Sequence, residues 1–150
     1  MMKFETYGDY AARTRASFDR QAAMRSMGIR IDDLAPGELW LSMPFNEGFT
    51  QQHGFLHAGV ITSAMDTAAG FAAYTLMPEE AGVLTVELKS SFLAPARGQR
   101  FNFHARVLKP GRTLIFTEAV ATAIDGENPR EIARMTATMM VVQGRAGVTG

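Results

Sequence analysis

A chain of 150 residues fits one domain with a real core, since folding at this size buries about two thirds or more of the unfolded surface. Hydrophobic residues make up 47% and charged residues 20%, and the formal net charge is zero, so no global basic field argues for a nucleic-acid partner. The absence of cysteine excludes disulfides, thiol catalysis and cysteine-held metals and is compatible with a reducing compartment; with no apolar run of signal-peptide length at the start, the chain reads as cytoplasmic, without a membrane partner.

From Asp9 to Met27 the residues Tyr10, Ala11, Thr14, Phe18 and Ala22 recur at three- and four-residue intervals, with Arg13, Arg15 and Arg20 between them. This spacing predicts one amphipathic helix over about 8–27, stopped at Gly28. Ile29 to Asp33 and Glu38 to Phe45 predict a hairpin around Ala35-Pro36-Gly37. After a polar loop, Asn46 to His53, the stretch Ala58 to Leu76 predicts a long helix that is apolar all the way round, so other elements must wrap it. Gly70 inside it suggests close packing against another backbone, and Pro78 ends it. Leu84, Val86, Leu88, Ser90 and Phe92 then alternate with Val83, Thr85, Glu87, Lys89 and Ser91, as in a strand with one face inward. Three more strands are expected at about Arg100 to Leu108, Arg112 to Ile124 and Arg130 to Val142, set apart by Pro- and Gly-containing turns. The architecture is α+β, one antiparallel sheet curled around one central helix, with ten methionines as adaptable core filler and a frayed tail from Gly144.

Asp66 is the only charged residue between Ala58 and Tyr74. A carboxylate set in an apolar helix must be satisfied by donors or used, because desolvating its charged form is costly. The preceding segment, Gln51-Gln52-His53-Gly54-Phe55-Leu56-His57-Ala58-Gly59, is polar and glycine-containing where it enters the helix. Free backbone N–H groups there favour anions, so a carboxylate and an oxyanion site form the candidate pair. Eight residues of helix place Ala58 and Asp66 about 12 Å apart, too far for one carbonyl to touch both. A two-fold dimer with antiparallel helices would bring the helix entrance of one copy against the middle of the other, giving two composite sites.

Gln51-Gln52-His53-Gly54-Phe55-Leu56-His57-Ala58-Gly59-Val60, followed by Asp66 with Ala68, Ala69 and Gly70, resembles the signature of the hotdog-fold acyl-CoA thioesterases of the phenylacetate-pathway (PaaI-like) type. The resemblance runs from about Gly37 to Val142 and includes Ser91-Phe92-Leu93-Ala94-Pro95-Ala96 and Val107-Leu108-Lys109-Pro110-Gly111-Arg112-Thr113. It implies that Asp66 is general base or nucleophile, that the N–H of Ala58, one of the two donors (Ala58 or Gly59) the helix entrance offers, polarises the thioester carbonyl, that Gln51 holds water or carbonyl, and that Thr85 helps position the water. Ala58 stands where the family often has glycine, and Gln51 where it often has asparagine. No cofactor is implied, since coenzyme A is part of the acyl-CoA substrate; the expected assembly is a homo-oligomer, a dimer and by resemblance a tetramer. Lys109, Arg112 and Arg145 are candidate partners for the coenzyme A phosphates, and Phe71, Tyr74, Met77 or the first helix candidate linings of the acyl pocket.

His57 either hydrogen-bonds a backbone carbonyl and shapes the loop or transfers a proton directly. The His53/His57 spacing fits a metal pair, yet Gly54 and the position before the helix spoil the geometry, and no metal is expected. Two alternatives remain. A non-catalytic acyl-CoA binding module would share the ligand, whereas a hydratase or dehydratase of the same fold lacks its usual His-Phe-Pro approach here.

Overall fold

The computed structural model describes residues 3–150. The opening Met1 and Met2, part of the segment read for a signal peptide, lie outside the described residues. In chain order the elements are α1 (Tyr10–Asp19), α2 (Ala22–Ser26), β1 (Arg30–Ala35), β2 (Glu38–Pro44), α3 (Ala58–Tyr74), β3 (Gly82–Phe92), β4 (Arg100–Lys109), β5 (Leu114–Asp125) and β6 (Asn128–Val142), with a short 3₁₀ turn at Glu47–Phe49. The six strands form one antiparallel sheet in the order β1-β2-β4-β5-β6-β3, and α3 packs against the concave side, the hotdog arrangement.

The predicted single first helix is two. Asp9 caps α1 through its side chain, which accepts from the Ala12 N–H at 3.0 Å. Gln21 then turns extended, at φ −79 and ψ 96, and α2 starts behind it. The break lets Phe18 and Met24 both reach the core, which a straight helix of that length could not arrange, and it frees the Gln21 side chain to accept from Thr67 Oγ1 of α3 at 3.3 Å.

The β1–β2 hairpin follows its sequence signal. Ala35 pairs with Glu38 across Pro36 and Gly37, and Gly37 holds φ +77, the left-handed conformation that such a turn demands of its third residue. The turn is tied to the far end of α3: Thr75 Oγ1 accepts from the Gly37 N–H at 2.8 Å and donates to the Ala72 carbonyl at 2.7 Å. α3 ends at Tyr74, two residues before the expected Leu76, and three-residue bonds from Leu76 to Ala73 and Met77 to Tyr74 tighten its exit. Arg13 closes the exposed carbonyls, donating to Met77 O at 2.9 Å while its guanidinium lies 4.8 Å above the Tyr74 ring.

The all-round apolar reading of α3 holds with one exception. Twelve of its residues are buried, and those that are not, Ala58, Gly59, Thr62, Ser63 and Asp66, form one stripe over its first two turns. Gly70 is buried, yet a Cβ built there would meet nothing within 4 Å, so the close backbone packing expected at that glycine is absent.

β3 also departs from expectation. It is an edge strand, and after Gly82 and Val83 almost every residue is exposed, with Leu84 at 42%, Val86 at 51%, Leu88 at 37% and Phe92 at 49%. A bulge at Val86, between the pairs Thr85–Met139 and Glu87–Thr138, breaks the alternation and switches which residues face α3. Thr85 faces it before the bulge and Ser90 after, each within hydrogen-bonding reach of the helix. Pro129, expected in the β5–β6 turn, instead pairs with Ile124 as the second residue of β6. The tail beyond Gly144, read as frayed, folds back: a Cβ on Gly82 would come within 2.9 Å of Val148 Cγ1.

Candidate active site

His57 is the residue before the first turn of α3, and its role follows from its geometry. Its ring Nδ1 accepts from the Gly59 N–H at 2.9 Å, while its carbonyl accepts from Val60 at 2.9 Å. The imidazole therefore caps the helix as a serine or asparagine would, rather than donating to a carbonyl as the sequence suggested. Gly59 thus has its N–H engaged, and of the two candidate oxyanion donors only Ala58 keeps a free N–H among the described residues. It sits at the positive end of a helix of 17 residues.

Ala58, His57 and Gln51 line one cleft of about 490 Å³, walled by apolar side chains including Phe55, Ile61, Phe92 and Ile132. Gln51 is partly committed to its own loop. Its Oε1 accepts from the His53 N–H at 2.5 Å and its backbone N–H donates to Phe55 O at 2.8 Å, leaving the side-chain NH₂ as the group it can offer.

Asp66 and Thr85 meet elsewhere. Thr85 Oγ1 donates to Asp66 Oδ1 at 2.7 Å, and Asp66 Oδ2 takes no hydrogen bond from any described residue. Asp66 is half-buried, at the seam between α3 and the edge strand β3. On the same stripe Ser63 donates to Gly59 O at 2.7 Å and Thr62 to Ser90 Oγ at 3.4 Å, so the seam is polar on the helix side and apolar along β3. Within one chain the structure brings Gln51, His57 and Ala58 together and Asp66 and Thr85 together, and the eight residues of helix between Ala58 and Asp66 keep the two groups about 12 Å apart.

The cations expected at phosphates lie at the opposite pole. Arg112 walls a cleft of about 790 Å³ with Lys3, Met77 and Pro78, beyond the end of α3, and Lys109 ends β4 and Arg145 follows β6 at that same end of the sheet. All three are exposed. Phe71 and Tyr74 are packed into the core, with Phe71 edge-on to both Phe18 and Tyr74 at 5.8 Å between ring centroids, and Met77, also buried, reaches only the wall of the cleft beyond the end of α3. The apolar walls beside Ala58 come instead from Phe55, Phe92, Leu93 and Ile132. Sequence reasoning missed these because they converge only when the β3–β4 connection folds over the helix entrance, where Leu56 N–H donates to Ala96 O at 3.1 Å. No three of His, Asp and Glu gather closely enough to hold a metal ion among the described residues, and no helix is long and apolar enough to cross a membrane.

Known proteins share this fold. A family model described as the thioesterase superfamily matches residues 53–129. The chain is similar to the crystal structure of a thioesterase family protein from Silicibacter pomeroyi, with 53% identity, 90% of this chain and 99% of that one covered, and a TM-score of 0.89. Human acyl-coenzyme A thioesterase 13 is 31% identical over 97 residues, 63% of this chain and 67% of the relative. The Escherichia coli PaaI protein from the phenylacetic acid degradation operon shares the fold at 18% identity, with a TM-score of 0.79 over 93% of this chain and 95% of that one.

Proposed function

The chain belongs to the thioesterase superfamily, and from that premise we propose that it hydrolyses acyl-CoA thioesters to the free acid and coenzyme A, at composite sites shared by two copies. The observation that carries this reading is the division of the site. Asp66 has one carboxylate oxygen held by Thr85 and the other open, Ala58 has a free N–H, and one helix keeps them too far apart to serve one carbonyl.

Pairing two copies along β3, with their α3 helices antiparallel, lays the Asp66 stripe of one chain against the Ala58 cleft of the other. The open edge of β3, with its exposed Leu84, Val86, Leu88 and Phe92, supports this assembly, because a long apolar edge strand left in water invites pairing. Asp66 then takes a proton from a water whose oxygen attacks the thioester carbon, or attacks that carbon itself to form an anhydride that water opens. The oxyanion is stabilised by the Ala58 N–H and the Gln51 NH₂, and the C–S bond breaks; coenzyme A leaves with the proton Asp66 took from water in the first route, and as a thiolate that takes up a proton released when water opens the anhydride in the second. Thr85 orients the carboxylate throughout. His57 acts through Ala58, by fixing the first turn of the helix.

The test is free-thiol release from short, medium, long and aryl acyl-CoA thioesters by the native protein and by Asp66→Asn. Loss of a general base predicts a fall of about 10²–10⁴-fold in kcat with the oligomer intact. An active Asp66→Asn protein removes Asp66 from the chemistry. Saturable binding with no turnover of any acyl-CoA by the native protein would replace hydrolysis with the acyl-CoA binding reading.

A further inference from the structure

The two ends of the sheet offer different cations. At the end where α3 begins, Arg97 stands on the β3–β4 connection and Arg130 near the start of β6, and both wall a polar hollow of about 430 Å³ with Gln99 and Asn128. The Arg130 Nη2 group donates to Pro95 O at 3.4 Å, two residues from Arg97. Leu93 to Ala96, just before Arg97 on the same connection, and Ile132, two residues past Arg130 on β6, wall the apolar cleft beside Ala58, so the hollow and the cleft are built on neighbouring residues of the same two segments.

Other arginines of the sheet are committed elsewhere. Arg100 pairs with Asp32 at 2.7 Å, Arg106 with Glu118 at 2.5 Å, and Arg134 with Glu131, whose carboxyl the hydrogen bond from that guanidinium holds below the usual range. Arg97 and Arg130 pair with no carboxylate among the described residues. Asp125 is the one carboxylate lining the hollow among the described residues, at the end of β5.

The bond from Leu56 N–H to Ala96 O limits the span from the Cα of Ala58 to that of Arg97 to about 18 Å, and a guanidinium can reach several ångströms back along it. A pantetheine arm, about a dozen bonds from sulfur to phosphate, extends roughly 15 Å. We propose that the apolar cleft beside Ala58 carries the pantetheine arm of the thioester donor and that Arg97 and Arg130 clasp the phosphate at the end of that arm. This rests on the thioester-hydrolase reading. It sets Arg97 and Arg130, on the chain that supplies the oxyanion donor, in place of Lys109, Arg112 and Arg145, which within that chain lie at the opposite pole and could approach only from the antiparallel partner; the Arg112→Ala variant tells the two apart.

Coenzyme A and an acyl carrier protein present the same phosphopantetheine phosphate, so the experiment compares one acyl group carried by coenzyme A, by phosphopantetheine, by carrier protein and by pantetheine, which has no phosphate. The native protein should favour the coenzyme A and phosphopantetheine donors over pantetheine by about 10-fold or more in kcat/KM, expressed in KM. Arg97→Ala/Arg130→Ala should bring all donors within about 2-fold of pantetheine while kcat and pantetheine hydrolysis are kept, which also shows that the variant folds; Arg97→Lys/Arg130→Lys should restore part of the preference. The proposal is overturned if the native protein does not discriminate, if discrimination survives the double substitution, if Arg112→Ala abolishes it instead, or if only the carrier-protein donor responds. Calorimetric binding of coenzyme A itself needs no turnover. A Kd weakened by about 10-fold or more in the double variant supports the clasp even if the hydrolase reading fails, and an unchanged Kd overturns it.

Discussion

Ala58 is the first residue of α3, and the residue before it, His57, has φ −61 and ψ 138. That extended conformation is the one proline imposes on its predecessor, and the first helical position is where proline is best tolerated, since the N–H it lacks has no helical partner. Ala58→Pro is therefore a deletion of one hydrogen with the helix left in place. It should keep the far-ultraviolet spectrum and the melting temperature while kcat falls by about 10²–10³-fold, the effect of removing one oxyanion donor. Retained turnover would show that the Ala58 N–H takes no part. Asp66 was legible as the one charge in an apolar segment, whereas the occupation of the Gly59 N–H by His57 was not, since it depends on the direction of a ring that no spacing encodes.

At the scale of elements, α3 is rich in alanine and sits inside a sheet whose facing residues are themselves often small, including Ala105, Ala119, Ala121 and Ala137. Gly70 interrupts it without a packing reason in the chain, because the place of its missing methyl is open. Glycine within a helix costs about 1 kcal/mol relative to alanine. Gly70→Ala should consequently raise the melting temperature by about 2–4 °C, read by calorimetry. A fall would mean that another backbone does approach there, as the sequence suggested. The break between α1 and α2 and the bulge at Val86 were both invisible to periodicity, since each comes with contacts to segments distant in sequence: Gln21 with Thr67 of α3, and Val86 with the register of β6.

At the scale of the molecule, two of the apolar surfaces left exposed among the described residues bear on assembly. One runs along the β3 edge; the other includes Leu114, Phe116 and Met140 on the convex side of the sheet, each more than a third exposed. The first is the one that would complete the active site. Co-expressing Asp66→Asn chains with Ala58→Pro chains tests this directly, because a mixed dimer would hold one site with both lesions and one with neither. With random pairing, half the dimers are mixed, so activity should return to about a quarter of the native level. No recovery would place the whole site within one chain.

Much of the architecture was readable before folding. A helix apolar on nearly every side has to be wrapped, strands with turn residues between them have to pair, and a lone carboxylate in such a helix has to be satisfied or used; local composition alone carries these constraints. What the tertiary structure decided was everything that depends on where distant segments meet. It put Thr85 on Asp66, left Ala58 rather than Gly59 with a free N–H at the helix entrance, set Arg97 and Arg130 rather than Arg112 at the pole of that N–H, and turned β3 outward as an edge. Such outcomes follow from the direction of a side chain and the register of a strand, which packing sets and no single segment of sequence contains.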